Sequence, residues 1–283
     1  MNAPPAGGTA ARGPRLSNLQ LRLLTAATGL PVVVAVTWVG GWTFALVAAV
    51  VAFFGTVEFA HGWLMPTTRV RTAFSHSLSL GASGVMVAGT HGDKQFVFAG
   101  LVLAAVLAAA GFAPTRRLGP RKPLRVHAGA LLYLGLLIST FVLVRDAEDG
   151  RTWFFLGVLS TFAVDTGAYA VGRAIGRHKL APRISPHKTW EGAVGGYAAG
   201  AGAVFGLSAL FDTGLSAATI APFALAMPVV SQVGDLFESW MKRRMGVKDA
   251  SGLLPGHGGF LDRLDSLLLV LPLLYVFLRL RVL

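Results

Sequence analysis

Seven of the chain's 13 acidic residues, Asp165, Glu191, Asp235, Glu238, Asp249, Asp262 and Asp265, lie in its second half at or near the expected inner ends of helices, among lysines, arginines and small hydroxyl residues. Asp235 and Glu238 are three apart, as are Asp262 and Asp265, so on a helix each pair shares a face and two carboxyl faces can converge from neighbouring helices. Oxygen-only ligands of this kind suit Mg²⁺, which binds through one or two carboxylates, keeps several waters and completes its shell with substrate phosphate. There is no cysteine, so thiolate metal sites, iron–sulfur clusters, disulfides and cysteine nucleophiles are excluded. The chemistry to expect is that of phosphates and a divalent cation. In the competing reading the acids do no more than pair with Lys242, Arg243, Lys248 and Arg263.

Three segments surround these acids. Leu254-Pro-Gly-His-Gly-Gly-Phe260 reads as a turn whose glycines let backbone N–H groups approach a phosphate; His257 is either a phosphate donor or a turn residue with a satisfied ring. Arg183-Ile-Ser-Pro-His-Lys-Thr-Trp-Glu-Gly192 places Ser185, Lys188 and Thr189 beside a helix N-terminus, a natural anion site. Its plainer alternative is an interfacial loop with a snorkelling lysine and a tryptophan of the aromatic belt. Asp165 lies inside an apolar run and must face a bundle interior or a wet cavity, either as a functional group or through a structural hydrogen bond. Gly192, Gly196 and Gly200 recur every fourth residue, a pattern that packs helices closely.

The elements that position these groups are membrane helices. The chain of 283 residues is 54% hydrophobic and 13% charged, with a mean hydropathy of +0.62; a soluble domain carries about 25% charged residues. Spans of about 17–25 apolar residues fall near 21–39, 42–60, 76–90, 95–113, 127–144, 152–172, 190–210, 216–238 and 264–282. The fold expected is all-α, a polytopic bundle of about nine transmembrane helices. With the N-terminus cytoplasmic, the outer segments hold Lys94, Arg145, Arg151, Arg279 and Arg281, and the inner segments hold the other 20 of the 25 basic residues. That asymmetry follows the positive-inside rule and turns both chemically dense loops toward the cytoplasm.

Residues 1–18 read as a disordered lead, 19–126 as the N-terminal helices and 127–283 as a catalytic transmembrane domain. The first apolar run is too long for the core of a signal peptide and lacks a small-residue cleavage site. The net charge of +12 sits in short loops between apolar runs, which points to anionic lipid and nucleotide phosphate and away from nucleic acid.

Three blocks then carry a resemblance. Ser239-x-Met-Lys-Arg-x-x-x-x-Lys-Asp-x-Ser-x-x-Leu-Pro-x-His-Gly-Gly-Phe-x-Asp-Arg-Leu-Asp265, Ser185-Pro-x-Lys-Thr-x-Glu-Gly192 and Asp165-Thr-x-Ala-Tyr-x-x-Gly172 resemble, in the same order, the signature segments of the phosphatidate cytidylyltransferases, or CDP-diacylglycerol synthases. Phe260 departs from the aliphatic residue usual in the family, and the N-terminal half matches only as a set of spans. The resemblance implies transfer of CMP from CTP to phosphatidic acid with release of pyrophosphate, in the cell (inner) membrane, with Mg²⁺ and room for a second monovalent or divalent cation. It carries metal binding to Asp235 and Asp262, with Asp249 and Asp265 in support. Contacts to triphosphate or lipid phosphate go to Ser185, Lys188, Lys242, Arg243, Lys248, His257 and Arg263, with Thr189 and Asp165 beside them. The partners expected are CTP, phosphatidic acid and the lipid bilayer, and a homodimer is compatible. Rival readings are a CTP-dependent polyprenol kinase, a cytidylyltransferase for another lipid phosphate and, from a different class, a secondary transporter.

Overall fold

The computed structural model describes residues 18–64, 87, 90–91, 126, 129–248, 251 and 258–281. The expected lead at 1–17, most of the third span and all of the fourth, Asp249 and His257 lie outside the described residues.

Helix α1 (Asn18–Val39) and helix α2 (Gly41–Leu64) are joined at Gly40, whose φ of +68° favours glycine. The last carbonyls of α1 have no acceptor role left within the helix and take a side chain instead. Arg145 Nε donates to Thr37 O at 2.7 Å, and its Nη2 donates to Trp38 O at 3.2 Å. A π-helical turn (Leu131–Leu136) runs into α3 (Leu137–Arg145), followed by α4 (Gly150–Ile175). An antiparallel hairpin, β1 (Lys179–Ala181) and β2 (Ser185–Thr189), pairs Lys179 with Thr189 and Ala181 with Ser185. Then come α5 (Trp190–Leu210), α6 (Ala217–Met245), the single turn α7 (Leu261–Leu264) and α8 (Leu267–Leu280).

Among the described residues, four helices are long and apolar enough to cross a membrane: α2 over Gly41–Phe59, α4, α5 and α6. Leu30, Val32 and Val33 on α1, Val194 on α5 and Leu225, Val229 and Val233 on α6 turn outward. Large apolar side chains exposed over whole helix faces belong against lipid. The protein is a helical membrane protein, and the hairpin is its one departure from the all-α expectation among the described residues.

Helices α4 and α5 pack where glycine replaces side chains. Gly192, Gly196 and Gly200 are all buried, and a Cβ on Gly196 would lie 2.8 Å from Val164 O and 2.9 Å from the Ala168 Cβ. The every-fourth-residue stripe is thus a packing seam. Trp153 of α4, Phe223 and Met227 of α6, and Leu268, Leu271 and Leu274 of α8 are fully buried and belong to one close-packed core.

The last expected span, 264–282, does not join the turn before it as one helix: the chain breaks at Asp265–Ser266, between α7 and α8. Gly234 of α6 admits the break: a Cβ there would meet Asp265 O at 2.7 Å and Ser266 Cα at 3.1 Å. Asp265 is thereby pressed against the turn of α6 that carries Asp235.

Candidate active site

A cavity of about 560 Å³ opens between α4, the hairpin, α5 and α6. Helix α4 contributes Asp165, Tyr169 and Arg173, strand β2 contributes Ser185, His187, Lys188 and Thr189, and α6 contributes Gln232 and Asp235. Five residues singled out by type and spacing, Asp165, Ser185, Lys188, Thr189 and Asp235, therefore line one space.

Local hydrogen bonding explains how the hairpin is held over this space. Thr189 caps α5, its Oγ1 accepting from Gly192 N at 3.1 Å, which aims the N-terminus of α5 along the cavity wall. Glu191 closes the neck of the hairpin by accepting from Arg177 N at 3.1 Å and pairing with His178 Nδ1 at 2.6 Å. From the other side, Arg243 Nε donates to Ile184 O at 3.2 Å. Arg243 thus ties the hairpin turn to α6 rather than reaching into the cavity.

The charges in and around the cavity come from separate elements. Lys188 Nζ forms an ion pair with Asp235 Oδ2. Asp235 also acts electrostatically on Asp165 of α4 and on Asp265 of the α7–α8 break, while Lys188 and Arg263 oppose it at Asp165. Asp265 Oδ1 accepts from Ser266 N at 2.7 Å. Arg173 adds a cation, its Nη1 donating to the Tyr169 hydroxyl at 2.9 Å.

A second cluster lies one turn further along α6. Lys242 Nζ sits 2.7 Å from Glu238 Oε2 and 2.7 Å from Asp262 Oδ1, and Asp262 Oδ2 accepts from Gly259 N at 2.8 Å. The Tyr133 hydroxyl is buried beside this cluster. Lys242 is enclosed between two acids, so here the pairing alternative describes the arrangement. Lys248 is exposed beyond the end of α6, and Arg263 is exposed on α7.

The cytidylyltransferase family matches the chain over residues 20–281. The chain belongs to that family. A protein of Brucella suis named phosphatidate cytidylyltransferase is 38% identical to it, over 93% of this chain and 94% of the relative. One of Brucella melitensis with the same name is also 38% identical over the same shares. In the protein of that name from Bacillus subtilis the identity is 40%, over 53% of this chain and 56% of the relative.

In this cytidylyltransferase no group of three or more His, Asp or Glu side chains stands close enough to cage a metal among the described residues. A magnesium ion does not need such a cage, since one or two carboxylates, water and phosphate complete its shell. The donor chemistry fits: Asp165 and Asp235 are hard oxygen donors lining the cavity, and Asp265 lies within their fields. Asp262 is committed to Lys242 and Gly259, and Asp249 lies outside the described residues.

Two groups escape a reading by motif. Arg173 lines the cavity, although by sequence it counts only toward the inner charge. Glu58 of α2 is buried and accepts three hydrogen bonds from the segment around Asp262. It is the sole acid among the first 92 residues and lies in an apolar run, which is the signal that would have drawn attention to it.

Proposed function

We propose that this cytidylyltransferase transfers CMP from CTP to phosphatidic acid, giving CDP-diacylglycerol and pyrophosphate, at the cytoplasmic face of the cell membrane. Likeness to the Brucella proteins over nearly the whole chain supports the substrate pair. The excess of Lys and Arg on one side of the spans supports the orientation.

The observation that carries the reading is the meeting of carboxyls from α4 and α6 with Lys188 and Arg173 at one cavity, within whose field Asp265 of the α7–α8 break lies. Its volume is within the range of ligand pockets, roughly 300–1,000 Å³. Asp235 and Asp165, which line the cavity, would hold Mg²⁺ with Asp265 in support; Asp262 would join them by releasing Lys242. When bound, the metal supplies charge neutralisation on the phosphates and polarises the α-phosphoryl group.

The lipid phosphate is a monoester with a second pKa of about 6, so it arrives largely as a dianion and needs no general base. Its oxygen forms a bond to the α-phosphorus of CTP as the bond to pyrophosphate breaks. Two highly charged anions must approach each other, and the work of the chain is to offset and align them. Lys188, paired with Asp235 at rest, is placed to bind a phosphate oxygen, and Arg173 lines the same cavity. Ser185 contributes a hydroxyl donor, and the N-terminus of α5 adds its partial positive charge. A site at the ends of spanning helices lets acyl chains stay in hydrocarbon while CTP enters from water.

The test is turnover of purified protein in detergent with labelled CTP and phosphatidic acid, with Mg²⁺ or with EDTA, followed by chromatography of the lipid phase. Labelled lipid and pyrophosphate are expected, and only with Mg²⁺. Release of CDP with transfer of the terminal phosphate would make the protein a kinase, and full turnover in EDTA would remove the metal from the reaction.

A further inference from the structure

The segment leading into α7 is held by a residue from the other end of the chain. Glu58, near the C-terminal end of α2 and 2% exposed, accepts from Phe260 N at 3.0 Å and Ser251 Oγ at 2.6 Å through Oε1, and from Leu261 N at 3.0 Å through Oε2. Phe54, one turn earlier on the same face of α2, stacks on Phe260 with ring centroids 5.6 Å apart and planes 15° from parallel. Gly259 lies over the carboxyl: a Cβ there would stand 2.5 and 2.6 Å from its two oxygens, and the backbone of Gly259 is not left-handed. A side chain at 259 is therefore excluded by Glu58 and not by φ. On the far side of the same turn, Gly259 N donates to Asp262.

These contacts change the meaning of the glycines. The N–H groups of Gly259, Phe260 and Leu261 are all taken by carboxyl groups of the chain itself. Two of them belong to the first turn of a helix, where no backbone acceptor exists. Glu58 does not line the cavity. Its effect passes through the backbone of residues 259–261, which sets the direction in which Asp262, Arg263 and the break at Asp265 leave the turn.

We propose that Glu58 is a positioning residue for cytidylyl transfer, the point at which the N-terminal helices brace the segment bearing Asp262 and Asp265. The proposal rests on the reaction assigned above, and its test has one arm that needs no substrate. In the kinetic arm, Glu58→Gln keeps the shape but turns an N–H₂ group toward N–H donors. The expected result is a fall in kcat of about 10- to 100-fold, the range found when supporting partners of a site are lost, with KM for CTP within about 3-fold of wild type. Wild-type kcat per folded molecule, even with a lowered unfolding temperature, would reduce Glu58 to a structural residue and overturn the proposal.

In the second arm, Gly259→Ala is introduced into wild type and into Glu58→Ala, and thermal unfolding in detergent is followed. Where Glu58→Ala does not fold, Glu58→Asp, whose shorter stem withdraws the carboxyl, takes its place. A large drop in unfolding temperature in wild type and a small one without the Glu58 carboxyl is the expected coupling. Equal drops in both backgrounds would remove the contact and the proposal with it. An inactive wild type would overturn the reaction and leave Glu58 to be judged by this second arm.

Discussion

Lys242→Met removes the one cation seated between Glu238 and Asp262. Side-chain exposures are 14% for Lys242, 2% for Glu238 and 7% for Asp262, so the two carboxyls are poorly solvated without the ammonium. A surface ion pair is worth little because solvent screens it, but removing one partner of a buried pair costs about 3–5 kcal/mol. Methionine keeps an unbranched apolar stem, so the loss is mainly of charge and hydrogen bonding. Glu238 suffers most, since Lys242 is its one ion-pair partner among the described residues. Adding Glu238→Gln should recover about 1–3 kcal/mol, because a neutral amide is far cheaper to bury than an unpaired carboxylate. Unfolding of wild type, both single variants and the double variant in detergent measures the coupling, with KM for CTP determined on the same samples. A Lys242→Met protein within about 0.5 kcal/mol of wild type, a change typical of an uninvolved surface site, would refute this reasoning. If it also raised KM, Lys242 would belong to the substrate phosphates, as its place in the signature implies.

Asp235→Asn should lower kcat by roughly 10²-fold or more in protein that unfolds at the wild-type temperature; near-normal turnover would remove Asp235 from the metal and phosphate chemistry. Gly196→Leu forces a side chain onto Val164 and Ala168 and should cost about 1–3 kcal/mol or more. Gly206→Ala on the same helix meets nothing within 4 Å and should leave stability unchanged or raise it by up to about 1 kcal/mol; equal effects of the two would argue against the α4–α5 seam. Glu191→Ala frees the neck of the hairpin that carries Ser185 and Lys188, so KM for CTP should rise several-fold in steady-state kinetics while the unfolding temperature holds, and an unchanged KM would mean the hairpin needs no such anchor.

The residues that proved easiest to place are those whose neighbours are close in sequence. Ser185, Lys188 and Thr189 lie on one short strand before α5, and Asp165 sits on α4, which the glycine stripe of α5 packs against, so a local pattern was enough to bring them to one wall. The hairpin leaves no mark in the sequence, because strands of three and five residues, the second containing a proline, show no alternation to read. The break at Asp265 falls at the polar start of the last span, where the three-residue spacing of Asp262 and Asp265 reads as one continuous helix, and the room for it comes from Gly234, 31 residues away. Glu58, like Asp165, is an acid within an apolar run, but its partners Phe260 and Leu261 are 202 and 203 residues distant, so no local pattern shows what it holds.

Apolar run length, the one-sided distribution of Lys and Arg and three dense polar blocks are additive along the chain, and they suffice for a helical membrane protein with phosphate chemistry at its spanning helices. Which acid meets which cation is not additive. Lys188 with Asp235, Lys242 with Asp262, and Glu58 under Gly259 each join separate elements and depend on how closely those elements approach. Coulomb energy and hydrogen bonding change steeply with that approach, so only the packed helices decide whether a charge serves the substrate or the fold.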